Sequence, residues 1–364
     1  MSLAGDRADE IAPALVRRRA GRPRIVPILR SGVLAREVCR RGGRGAVAAV
    51  FARSLYLRIG DAFVCIGEAA IGNGPSTLII AAPPARPGVR QGQSVLLAQQ
   101  RIAIGDLRFD LDGCETWRPP AWPAVSSPAR LLETCATLAR RAATDSPADG
   151  LAHAIYGAGE TPLARLARPR VLRFETWLSH TISSAHGAYD DTRTEPLAPT
   201  LPPVGGEGGR ARSARPGGGT ISCSEFASPP TPDPSPPRCA RGEGNLSACV
   251  SALVGLGPGL TPSGDDFLIG ALAALDAVGQ TKTHAALGEA VAAAAPARTS
   301  PLSASFLRAA AAGYAGENLH ALVAAVVGGH LDAAAAAAGR IGHTSGWDTL
   351  AGAVLALRVV AKEM

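Results

Sequence analysis

Two thirteen-residue stretches, SGDDFLIGALAAL at 263–275 and SGWDTLAGAVLAL at 345–357, agree at eight positions across an offset of 82 residues. Matches among Ala and Leu come cheaply in an alanine-rich chain. The shared Ser-Gly-x-Asp start and the shared glycines Gly270 and Gly352 do not, because glycine inside a helix costs about 1 kcal/mol against alanine and calls for a reason. The reason read here is a close crossing of two buried helices at those glycines, which holds both helix N-termini at one rim. Two partly positive helix ends would then face one pocket.

The loop before the first stretch, GLGPGLTPSGDD, starts at Gly255. Two helix caps compete in it. Thr261 followed by Pro262 puts proline at the favoured first position, whereas Ser263 with Asp266 three residues on forms a capping box. Under the first, both Asp265 and Asp266 stay available to a cation or polar substrate; under the second, only Asp265 does. Neither cap requires Gly255, Gly257 and Gly259, which permit positive φ and bring several N–H groups near a ligand. In RIGHTSGWD, His343 exchanges protons near neutral pH, Thr344 and Ser345 offer hydroxyls, and Trp347 can wall a planar ligand. Taken singly, Trp347 reads as core, His343 as a loop hydrogen-bonder and Asp348 as a capping acid; the combination points to a site. A third start, RTSPLSASFLRAA, places Ser300 as N-cap before Pro301, with Arg298 and Ser303 as further contacts.

The rest of the chain divides by texture. Residues 1–24 are Arg-rich and read as a flexible arm. From residue 46 short β-prone runs alternate with turn signals, IGDAF as a tight hairpin and GNGP as a sharper turn, and SVLLAQQRIAIGDLRFDLD repeats the pattern. About six strands in some 70 residues make a mainly antiparallel sheet or small barrel. Helices are expected over 128–143 and 147–168, with RPRVLRFETWL as a further strand or helix. Residues 25–189 are thus read as a mainly β domain with added helices. Over 190–244 the Pro, Gly, Ser and Arg content reads as a disordered insertion or linker. Residues 245–364 read as all helix, with breaks at Gly279, Gly313, Gly328–Gly329 and Gly339. The fold class is α+β.

The formal charge of +7 is an N-terminal property: residues 1–60 hold 13 arginines against four acids, and no stacking aromatics are interleaved, so a nucleic-acid partner is not expected. Seven scattered cysteines without a CxxC pair indicate neither zinc knuckle nor disulfide framework. No apolar run is long enough for a membrane span and the N-terminus lacks a signal-peptide pattern, so a cytoplasmic protein is expected.

GLGPGLTPSGDDFLIG followed by GHTSGWD resembles the paired motifs of the AllH-type family, subunits of oxamate carbamoyltransferase in anaerobic allantoin breakdown, a branch of purine catabolism. FARSLYLRIGDAFVCIG and GNGPSTLII resemble that family's N-terminal strand region. The resemblance implies a subunit of a multi-subunit complex that moves a carbamoyl group between oxalurate and phosphate, giving oxamate and carbamoyl phosphate. Such small anions suit glycine-loop amides and helix ends, with no cofactor required. In that picture the amides of Gly257, Gly259 and Gly264 stabilise charge on the carbamoyl oxygen, Asp265 or Asp266 orients the nitrogen nucleophile or carbamoyl amide, and His343 relays a proton. Thr261, Ser263, Thr344, Ser345, Gly346, Trp347 and Asp348 complete the expected binding set. Two rivals stay open. The chain could be a non-catalytic scaffold or an anion-binding regulatory subunit. It could instead be a magnesium-dependent phosphoryl enzyme with the ion on Asp265 and Asp266, although GxxxxGK[ST] is absent and the only lysines are Lys282 and Lys362.

Overall fold

The computed structural model describes residues 23–81, 88–187 and 245–364. The expected insertion over 190–244 lies outside the described residues, as does the arm up to residue 22. The arm's last residue, Arg24, already belongs to a strand.

The N-terminal region is a closed barrel. Its strands are β1 (Arg24–Gly32), β2 (Gly43–Val50), β3 (Ser54–Ile59), β4 (Ala62–Glu68), β5 (Thr77–Ile80), β6 (Ser94–Ala98), β7 (Arg101–Ile104) and β8 (Leu107–Asp110). The order β5-β4-β3-β2-β6-β7-β8-β1 closes because β1 also pairs with β5, and β9 (Glu115–Trp117) adds to the second half of β1. Only the β1–β8 and β4–β5 joints of the ring are parallel. Period-two alternation explains the closure: Val95, Leu97, Ile102, Ile104, Leu107 and Phe109 all point inward and are buried, while their sequence neighbours face out. Helix α1 (Val33–Arg41) adds Ala35, Val38 and Cys39 to this core. The IGDAF turn joins β3 to β4 as expected, with Gly60 at φ 60°.

Beyond residue 127 the described chain is helical: α2 (Pro128–Asp145), α3 (Leu151–Tyr156), α4 (Pro162–Gly187), α5 (Leu246–Leu253), α6 (Ser263–Ala277), α7 (Thr281–Arg298), α8 (Pro301–Ala311), α9 (Glu317–Val327), α10 (Leu331–Ile341) and α11 (Ser345–Glu363). Residues 147–168, read as one helix, are two, broken at Gly157–Thr161. RPRVLRFETWL lies inside α4 with Pro169 within the helix. Helices α2–α4 share one apolar core with α5–α11, so the change from sheet to helix falls near residue 128. Gly279, Gly313 and Gly328–Gly329 do separate helices. Gly339, however, is inside α10, and the break comes at Gly342, whose φ of 144° no β-carbon residue adopts readily.

Two helices form the centre. In α6 12 of 15 residues are buried and in α11 15 of 19, which is why both read as apolar on every face. They cross at the expected glycines. A β-carbon on Gly270 would lie 1.9 Å from the Thr349 carbonyl oxygen, and one on Gly352 would lie 1.9 Å from that of Phe267. No helix among the described residues is long and apolar enough to cross a membrane.

Candidate functional site

A cleft of about 650 Å³ opens between barrel and helices. The helical wall presents Thr261 and Asp266 from the glycine loop and α6, Arg340 from α10, and Ser345 and Thr349 from α11. The barrel wall presents Ser54, Tyr56 and Cys65 and the turn Gly72–Thr77. The two motif-bearing helix starts therefore meet: the Thr261 and Ser345 hydroxyl oxygens are 3.2 Å apart.

Each expected residue has a definite place, and the two aspartates differ sharply. Neither proposed cap forms, since Pro262 occupies the N-cap position and no side chain caps α6. Asp265 is fully buried as a tie. Its Oδ1 accepts the Gly255 N–H at 2.8 Å, and its Oδ2 accepts the Ser303 hydroxyl at 2.7 Å and the Thr299 hydroxyl. Both oxygens are thus spent on protein donors and Asp265 has none to offer a substrate. Asp266 is 6% exposed, lines the cleft, and has a buried Oδ2 without a partner. Burial pushes its carboxyl well above the usual range; the nearby charges of Asp348 and Asp265 add to that, while the Ser345 and Thr261 hydroxyls beside it oppose it. Hydroxyl and amide donors already hold both Asp265 oxygens, so the two neighbouring carboxyls are not presented together as ligands for a magnesium ion.

The glycine loop adopts the expected backbone, with φ of 77°, 105° and 99° at Gly255, Gly257 and Gly259. Its amides are less available than expected. Gly264 donates to Leu256 O at 2.8 Å, and Asp265 and Asp266 donate back to Pro262 O, so the first turn of α6 turns its N–H groups inward. The amides of Gly257 and Gly259 donate to no described backbone carbonyl, yet neither residue lines the cleft. Gly264 and Gly346 instead serve close packing: β-carbons there would come 2.1 Å from Leu253 O and 1.8 Å from Ala338 O.

The GHTSGWD segment contributes Gly342 and Ser345 to the cleft, joined by Thr349 a turn later. His343 does not line it. Its side chain is 78% exposed, with Nε2 3.6 Å from Asp149 Oδ1. Trp347 is packed in the helical core, and Thr344, Ser263 and Asp348 are also outside the lining. Asp348 is fully buried and accepts the Ala152 N–H at 2.8 Å. Burial raises it to about 6, against the pull of the Ala152 and Leu151 N–H groups and the Ser263 hydroxyl. Ser300 caps α8 as expected, accepting the Ser303 N–H at 3.0 Å. Arg298 donates to Ser251 O and Ser303 to Asp265, and neither lines the cleft.

Sequence reasoning missed the barrel wall and its latch. Glu317 Oε2 accepts the Asn73 backbone N–H at 2.7 Å and its Nδ2 at 2.6 Å, while the Glu317 N–H donates to Asn73 O at 2.8 Å. Asn73 Oδ1 is left buried and unpartnered beside the cleft. The visible signal was GNGP, read only as a turn. On the same wall burial pushes the Cys65 thiol up to about 11 despite hydrogen bonds from Tyr56 and Ser54, which disqualifies it as a nucleophile near neutrality. Tyr56 meets Phe306 of α8 edge-on at 6.2 Å, closing an aromatic side of the cleft.

Comparison with known proteins bears on both walls. Residues 253–357 match a family model described as oxamate carbamoyltransferase subunit AllH, and residues 29–116 match one described as the AllH family N-terminal domain. No curated protein and no solved structure matches. Thr261, Asp266, Ser345 and Thr349 fall within the first span, Tyr56 and Asn73 within the second. The two spans take in more than half of the chain, and the protein belongs to the AllH family.

Proposed function

We propose that the chain is the substrate-binding subunit of a cytoplasmic carbamoyltransferase complex that, with other subunits, interconverts oxalurate plus phosphate and oxamate plus carbamoyl phosphate in allantoin and purine catabolism. The observation that carries this reading is the meeting of the family's separated segments at one cleft: Thr261 and Asp266, Ser345 and Thr349, and the Asn73 turn all line it. Its volume lies within the roughly 300–1,000 Å³ usual for ligand sites and leaves room for both reactants side by side.

In the forward step a phosphate oxygen attacks the carbamoyl carbon of oxalurate, the bond from that carbon to the oxamate nitrogen breaks, and that nitrogen takes up a proton. The chain's residues bind and orient. Arg340 offers the charge for a carboxylate or phosphate, the hydroxyls of Thr261 and Ser345 offer short hydrogen bonds, and the aromatic side excludes water so that each polar contact is strengthened. Glycine-loop amides have a smaller part here than the sequence suggested, because those of α6 turn inward. No cofactor is assigned to the cleft.

The test is carbamoyl phosphate formation from oxalurate and phosphate by the reconstituted complex. Arg340→Ala is expected to raise KM for oxalurate about tenfold or more with kcat less affected, the pattern of a lost binding contact. An unchanged KM removes Arg340, and no turnover by the intact complex removes the reaction. Ligand binding by the isolated chain without turnover assigns the bond-making groups to a partner subunit.

A further inference from the structure

The starts of α6 and α11 form a local two-fold pair. Ser263, Gly264, Asp266, Phe267 and Gly270 correspond to Ser345, Gly346, Asp348, Thr349 and Gly352. The contacts are reciprocal: Ser345 stands beside Asp266 and Ser263 beside Asp348, and each crossing glycine abuts the other helix's equivalent carbonyl. The pair departs from symmetry at one place. The first turn of α3 is seated on Asp348, with the Ala152 N–H on Oδ1 at 2.8 Å, the Leu151 N–H also donating, and Gly150 so close that a β-carbon there would lie 3.1 Å from Oδ1. Nothing equivalent reaches Asp266. An Oδ2 without a partner is common to both carboxyls, but at Asp266 the donors are the Ser345 and Thr261 hydroxyls with no backbone N–H of the described residues among them, and the side chain lines the cleft.

The chain thus supplies peptide N–H donors to one of two matched carboxyls and leaves the other facing a cavity. We propose that Asp266 recognises amide N–H groups of the ligand, so that the cleft selects carboxamides and ureido acids over carbonyl compounds of the same shape, the α3 turn on Asp348 being the chain's own copy of that contact. The inference rests on the cleft being the substrate site, as in the reading above, but not on the transfer reaction. A neutral N–H donor fits better than a cation, because neutral amides are what hold Asp348 Oδ1 and burial favours an uncharged Asp266. An uncharged carboxyl still completes the match: its carbonyl oxygen accepts the ligand N–H while its O–H donates to the ligand carbonyl. Asn73 Oδ1, unpartnered on the opposite wall, is a second acceptor for the same ligand group.

Oxamate and pyruvate separate this idea from shape and charge, since pyruvate carries a methyl where oxamate carries its NH₂. Calorimetric titration of the full chain is expected to show oxamate bound about tenfold or more tightly than pyruvate. Asp266→Leu is expected to bring the two within about twofold, whereas Asp266→Asn, which keeps an acceptor oxygen and the shape, retains most of the preference. Equal affinities in the unaltered chain, absence of oxamate binding, or a preference that survives in Asp266→Leu would overturn the inference. Turnover by the complex without any oxamate preference sinks this inference and spares the transferase reading. A preference that depends on Asp266, in a complex that transfers nothing, does the reverse.

Discussion

The starts of α6 and α11 share a serine, a glycine and an aspartate, yet they are put to different uses. At the third position α6 has Asp265, a fully buried tie that gathers Gly255, Thr299 and Ser303, whereas α11 has Trp347, a wedge in the helical core. At the fourth position Asp348 is closed off by the turn of α3 and Asp266 is open to the cleft. A matched tetrad therefore specifies how two helices cross, and the segment laid over each start decides whether its carboxyl is structural or exposed to a guest. Buried carboxyls differ in function according to which donors the chain has already provided.

The comparison breaks most visibly at Asp265. Asp265→Ala leaves three donors unmatched, Ser303 buried and Gly255 and Thr299 partly so, and is expected to cost roughly 3–5 kcal/mol in denaturant unfolding. A loss below about 1 kcal/mol would mean the loop holds without its tie. Next comes pH. The Asp348 carboxyl, raised to about 6, favours protonation in the folded state, so its stability contribution is complete below about pH 4 and is lost as pH rises through about 6. Two pH units at about 1.4 kcal/mol each make that loss roughly 3 kcal/mol. Thermal unfolding of Asp348→Asn against pH should lack this component and keep the loss of the same sign that Asp266 contributes; a slope identical to that of the parent chain would contradict the assignment. The two crossing glycines sharpen the symmetry itself. Gly270→Ala and Gly352→Ala each force a backbone contact apart and are expected to cost about 1–3 kcal/mol, nearly equally. Strongly unequal costs would show that the crossing is not a matched pair. The smallest effect is expected at His343, exposed and away from the cleft: His343→Ala should change stability by less than about 0.5 kcal/mol and leave turnover unchanged. A large loss of turnover would restore the proton-relay role that the sequence suggested.

Much of the fold was legible because local pattern controls it. The IGDAF hairpin, the strands of SVLLAQQRIAIGDLRFDLD and the Ser300 cap follow from alternation and turn chemistry within a few residues. The Gly270–Gly352 crossing was legible because a glycine in a buried helix needs a close neighbour. A small barrel was one of the two architectures the strands allowed, but the pairing that closes it was not legible, since β1 contains Pro27, follows an Arg-rich stretch and pairs with strands some 50 and 80 residues later. In the site, the meeting of Thr261 and Ser345 was anticipated, whereas His343 and Trp347 were placed in it by proximity in sequence to a motif rather than by direction. Asn73 and Glu317 were invisible because their latch spans 244 residues, and neither residue type announces a partner. The inward turn of the α6 amides depends on Leu256 and Pro262 carbonyls whose orientation no residue name conveys.

The ends of α4 and α5 lie in the same apolar core, and Arg170 of α4 donates to the Ala252 carbonyl of α5 at 3.0 Å. Covalent continuity from residue 187 to residue 245 is therefore not what keeps the two walls together. A gene divided at that point should yield two polypeptides that find each other by their shared interior.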